Sequence, residues 1–100
     1  MGDIFKGMEK LRMQYLENIM KETQDLKNNI MLQNYKEEQI RTFFHQIYGS
    51  GSSYGFDFVT YAGKALSDEW HDTGNANKIV PILEKLEEDL KKNIIKLSKQ

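Results

Sequence analysis

The sequence predicts an all-α protein, an antiparallel up-down four-helix bundle, and three observations lead there. Apolar residues return at three- and four-residue steps in four separate stretches, which is the spacing of one helical face. No stretch alternates apolar and polar residues as a half-buried strand would. Breaks rich in glycine, serine and asparagine separate the periodic stretches, and they are short enough to fold each helix back on the last. One hundred residues with 39% hydrophobic content suffice for one modest core, so residues 1–100 are read as a single domain.

Asp3 is placed to cap the first helix, although Gly7 weakens its first turns. Met8, Leu11, Tyr15, Leu16, Ile19, Leu26 and Ile30 form its stripe. Asn34 followed by Glu37 has the spacing of a capping box and starts a second helix at Tyr35. The small-residue run 49–55 interrupts the pattern. Asp57 is placed to cap a third helix carrying Phe58, Ala62, Ala65, Leu66 and Trp70. Residues 71–77, HDTGNAN, read as loop. Pro81 belongs to the first turn of the last helix, because deeper inside it would remove a ladder hydrogen bond. Ile79, Leu83, Leu86, Leu90, Ile94 and Leu97 complete that helix's stripe.

Composition removes several function classes. Fourteen basic residues are interleaved with fifteen acidic ones, so there is no basic stripe for nucleic acid. The chain has no cysteine, which excludes disulfides and thiolate metal sites and fits the cytoplasm. No apolar run approaches the roughly 20 residues that a membrane span needs. A cytoplasmic monomer is the expectation.

The stretch FFHQIYGSGSSYGF, residues 43–56, carries one of the two histidines. At about 100° per residue, Phe43 and Ile47 lie about 160° from His45 on either side, and Ile40 about 140° away. Those three face the core, so His45 points outward among Glu38, Arg41, Thr42, Tyr48 and Gly49. A histidine in a helical protein is often a satisfied core residue, but this wheel argues against that reading. Gly49 lies one turn further along the same face. With Ser50 and the glycines and serines after it, it leaves the surface beside the imidazole bare enough for another macromolecule's backbone. An engineered glycine–serine tether would look similar in composition. Tyr54 and Phe56, flanking Gly55, argue for order instead.

His45, Ile47, Gly49, Ser50 and Gly55 together resemble the signature of histidine-containing phosphotransfer (HPt) domains of bacterial two-component phosphorelays. That signature has an aliphatic residue two after the histidine, a lysine three after it, then Gly-Ser, and a second glycine ten after the histidine. MEKLRMQYLENI (residues 8–19) is similar to the family's opening helix, and FVTYAGKALSDEW (residues 58–70) to the helix after the glycine turn. One position departs, because Tyr48 stands where lysine is usual. The resemblance also allows the chain to be the amino-terminal module of a longer signalling protein.

The resemblance implies that His45 accepts a phosphoryl group from the aspartyl phosphate of a receiver domain, or donates it to one. Arg41, Tyr48, Gly49, Ser50 and Gly55 would then support docking, with Gly49 clearing space and Ser50 holding the helix end. The implied partners are a response-regulator receiver domain and a hybrid histidine kinase. Neutral imidazole is a nucleophile near neutral pH. GSGSSYG lacks the Lys-Ser or Lys-Thr of a phosphate-binding loop, so the domain is read as a carrier without kinase activity or intrinsic cofactor. Mg²⁺ would come with the receiver.

Other groups are weaker. His71 beside Asp68, Glu69 and Asp72 invites a metal reading, but ligand types without geometry carry little, and no metal site is assigned. Trp70, Phe43 and Phe44 read as core. Glu87 with Lys91 and Glu88 with Lys92 read as pairs on a solvated face. From a different class, a phosphorylation-independent helical adaptor or dimerisation module is the alternative, and Tyr48 in the lysine position is what favours it.

Overall fold

The computed structural model describes residues 7–99, so the cap expected of Asp3 lies outside the described residues. Among the described residues four α-helices follow in order: α1 (Glu9–Met31), α2 (Glu37–Ser50), α3 (Asp57–Thr73) and α4 (Ala76–Ser98). A single 3₁₀ turn, Ser52–Tyr54, sits between α2 and α3. No strand occurs among the described residues. α1 packs chiefly on α4, α2 packs on α3, and α3 joins the two pairs by contacting α4. Only a thin contact links α1 to α2. Among the described residues no helix is long and apolar enough to cross a membrane.

The core follows from the stripes. Tyr15, Leu16, Ile19, Leu26 and Ile30 of α1 are buried, and so are Ile79, Leu83, Leu86 and Leu90 of α4. Leu11, expected in the stripe, is exposed. Thr23 is buried on the same stripe, and its hydroxyl is paired by donating to the Ile19 carbonyl at 2.6 Å.

Helix ends account for most departures from expectation. α2 begins at Glu37 behind an extended Lys36, and no side chain caps it. The expected capping box does not form, because Lys36 takes the N-cap position and Glu37 is already the first helical residue, while the Asn34 backbone amide closes the end of α1 by donating to the Asn29 carbonyl at 2.8 Å. Gln33 turns the chain there at φ 56°, and Glu37 and Glu38 put negative charge at the positive end of α2. Asp57 is the first residue of α3 and not its cap, and its carboxylate accepts from the Ser52 hydroxyl at 2.9 Å. The buried stripe of α3 is Val59, Gly63, Leu66 and Trp70, with Phe58 and Ala62 only half-buried and Ala65 exposed.

Most of the loop expected at 71–77 is helix. α3 continues to Thr73, Gly74 caps it in the left-handed region at φ 58°, and Asn75 starts α4 by accepting from the Asn77 amide at 3.0 Å. With α4 beginning at Ala76, Pro81 lies inside the helix and not in its first turn. It sits on the exposed face, and Asn77, whose carbonyl loses its usual helical donor to the proline, is exposed as well.

Glu88 pairs with Lys92 at 3.2 Å as expected, but Glu87 makes its ion pair with α1 and not with Lys91. It meets Lys27 at 2.7 Å and accepts from the Gln24 amide at 2.9 Å. The Lys27 hydrogen bond, then that of Gln24, hold its carboxyl below the usual carboxylate range. A folded-state pKa that is depressed contributes stability above the unfolded value, and that contribution is lost as pH falls through the folded one. Glu87→Gln is therefore expected to lower the melting temperature at neutral pH. The gap to wild type should close on acidification below about pH 4.3, the unperturbed glutamate value. Thermal melts of both proteins across that range check it, and a gap independent of pH would refute it.

Candidate functional site

α2 buries Ile40, Phe43, Phe44 and Ile47, and this fixes what its other face presents. His45 is exposed, along with Glu38, Arg41, Thr42, Tyr48 and Gly49, as the helical wheel predicts. Tyr48 is 53% exposed. Phe44, the residue before His45, belongs to the core as well. It is in fact among the largest fully buried side chains, and its ring lies 4.8 Å from that of His45. The imidazole thus has one side against an apolar ring and the other open.

The three glycines of the run have three different causes. Gly49 is helical, and a Cβ built there would meet nothing within 4 Å. Neither backbone nor packing demands glycine at that position, so the surface over the turn after His45 is bare without a folding reason. At Gly51 a Cβ would lie 2.6 Å from both the amide nitrogen and Oγ1 of Thr60, so close packing on α3 excludes a side chain. Gly55 turns at φ 84°, where a side chain is strained.

The run is also tied down. The Ser50 hydroxyl donates to the Gln46 carbonyl at 2.7 Å, which leaves its oxygen to accept from the Tyr15 hydroxyl at 2.6 Å. Burial pushes the Tyr15 phenol up, against the opposing effect of that bond. The Tyr15 ring stacks on Tyr54 at 4.2 Å. Arg12 donates through Nε to the Tyr54 carbonyl at 2.9 Å and lies 4.6 Å over the Phe56 ring. The Phe56 amide donates to the Gly51 carbonyl at 2.9 Å, and the Ser52 amide to Thr60 Oγ1 at 2.8 Å. A loose tether has no such bonds. Sequence reasoning missed Arg12 and Tyr15 as the clamp on this turn. The only available signal was that the turn carries two aromatics needing partners.

Between α2 and α3 a cleft of about 230 Å³ is lined by Phe44, His45, Tyr48, Lys64, Ser67 and Asp68. It brings together His45 and Tyr48 of the expected residues. Arg41, Gly49, Ser50 and Gly55 do not line it, and Lys64 was not anticipated. A larger cavity, about 410 Å³, lies between α1 and α2 with Leu26 and Phe43 at its floor and Glu22, Asp25 and Glu38 on its rim. No histidine lines it, so it is not a site for phosphoryl transfer to an imidazole. His71 is fixed to its own helix, with Nδ1 donating to the Ser67 carbonyl at 2.7 Å. Among the described residues no group of three or more histidine or acidic side chains is arranged to hold a metal.

Gly49 gives a prediction with a clear sign. Since its Cβ would be unobstructed, Gly49→Ala is expected to stabilise the protein by up to about 1 kcal/mol through helix propensity. Gly49→Lys should fold equally well but dock a partner more weakly on the His45 face. Denaturant unfolding and binding measured on the same samples would check both, and an alanine variant that loses stability contradicts the helical assignment.

The chain gives no significant match to any protein-family model, any curated protein or any solved structure.

Proposed function

We propose that the protein is a phosphorelay intermediate of the HPt type, an antiparallel up-down bundle that carries a phosphoryl group on His45 in the cytoplasm. The observation that carries this reading is an exposed imidazole beside a helical glycine that the fold itself does not need. In the proposed step an unprotonated ring nitrogen of His45 attacks the phosphorus of a receiver's aspartyl phosphate. The N–P bond forms as the acyl phosphate P–O bond breaks, and the receiver's carboxylate leaves with the electron pair. Such transfers depend on in-line placement and charge neutralisation. The receiver would bring the Mg²⁺, and this chain would supply the nucleophile and an unobstructed approach. The Phe44 ring lies tilted against the imidazole on one side.

The test is incubation with phosphorylated receiver domains and Mg²⁺, followed by mapping of the modified residue. An acid-labile, alkali-stable label on His45 is expected, and ATP with Mg²⁺ alone should give none. A label on His71 would overturn the assignment, and no label from any receiver of the source organism would leave the helical adaptor as the better reading.

A further inference from the structure

Lys64 projects from α3 into the cleft that also holds His45, and its ammonium is engaged by Asp68 Oδ2 at 3.0 Å, one turn along its own helix. The two side chains are 62% and 64% exposed. An ion pair so open to water is weak and easily exchanged. Tyr48 gives the cleft a hydroxyl but no charge, and Lys64 is the one cationic residue lining it among the described residues. A phosphoryl group on His45 would bring about two negative charges into the same space.

We infer that Lys64 is the counter-ion of phosphorylated His45, exchanging the carboxylate of Asp68 for the phosphoryl oxygens. The inference rests on the reading of His45 as phosphoacceptor. In the unmodified protein Asp68 stores the ammonium at the cleft. In the phosphorylated protein the carboxylate competes for it, so the two residues act on the phosphohistidine with opposite sign. Loss of the phosphoryl group passes through a loose transition state in which its charge is spread over three oxygens as the group moves away from the ring nitrogen. A fixed cation therefore stabilises the phosphohistidine more than the transition state, and Lys64 lengthens the lifetime of the modified protein.

Phosphoramidate tests this on the purified chain without any receiver. The His45 ring nitrogen attacks phosphorus, the new N–P bond forms, and the old one breaks with ammonia leaving. Decay of the phosphorylated mass is then followed at fixed pH and ionic strength. Lys64→Gln should shorten the lifetime about two- to fivefold, the range that an exposed ion pair supports. Lys64→Arg should restore it and Asp68→Asn should lengthen it. The Lys64→Gln difference should shrink as salt screens the pair. Equal lifetimes for Lys64→Gln and wild type would overturn the inference alone. Lys64→Gln and Asp68→Asn moving in the same direction would overturn it too, because that marks general loosening. If wild-type His45 takes no phosphoryl group from phosphoramidate, the proposed function falls and this inference with it.

Discussion

Gly63→Leu is expected to unfold the protein or leave it barely stable. Gly63 is buried at the crossing of α2 and α3, where even a Cβ would lie 2.7 Å from the Tyr48 amide nitrogen and 2.9 Å from its Cα. Both atoms belong to a helix backbone, so no rotamer change relieves the contact. The same Cβ would also sit 3.0 Å from Ile47 Cγ1, which is itself in the core. Relief requires α2 and α3 to separate, and that opens the packing of Ile47 and Leu66 as well. Overpacking in a core costs about 1–3 kcal/mol, occasionally more, and the contact here is with backbone. Alanine would regain about 1 kcal/mol of helix propensity, so Gly63→Ala should be clearly but less severely destabilised. Against a typical total of about 5–15 kcal/mol, the leucine variant stands to lose a large share. Urea unfolding of the two variants beside Gly49→Ala makes the comparison internal, since that glycine should respond with the opposite sign. A leucine variant as stable as wild type would mean that the helices do not approach at Gly63.

The contrast between Gly49 and Gly63 shows what was legible in the sequence. Helical periodicity located Leu16, Ile19, Leu83 and Leu86 in the core, because a stripe of apolar side chains has only one place to go. The outward direction of His45 followed from Ile40, Phe43 and Ile47 for the same reason. Positions fixed by contacts between distant segments were not legible. Gly63 looks like an ordinary weak point in a helix until α2 is seen against it. Arg12 and Tyr15 lie far from the turn they clamp, 42 residues separating Arg12 from Tyr54. The chain breaks were misjudged where backbone geometry replaced the usual side-chain signal. Asn34 closes α1 with its amide instead of capping α2 with its side chain, and the two residues Gly74 and Asn75 do the work expected of seven. Pro81 then falls inside α4 only because that helix starts so early. Lys64 carried no sequence signal toward His45, since the cleft exists only once α2 and α3 pack.

His45→Gln is expected to remove all phosphoryl labelling while leaving the fold unchanged. The side chain is exposed, and among the described residues the ring packed closely on it is that of Phe44, 4.8 Å away. Glutamine keeps enough aliphatic length to cover part of that ring, so stability should change by no more than about 0.5 kcal/mol, as for ordinary surface positions. The chemical effect has no such graded character. An amide nitrogen is not nucleophilic, and no second histidine lines the cleft that could take over. His71 is the informative control, because its Nδ1 is committed to the Ser67 carbonyl on α3. His71→Gln should therefore label like wild type from the same phosphorylated receiver. The two variants compared by thermal melting and by mass of the labelled protein separate a chemical role from a structural one. If His45→Gln still labels at the wild-type level, the phosphoryl group sits elsewhere, and the bare surface at Gly49 must serve a partner that binds without phosphate.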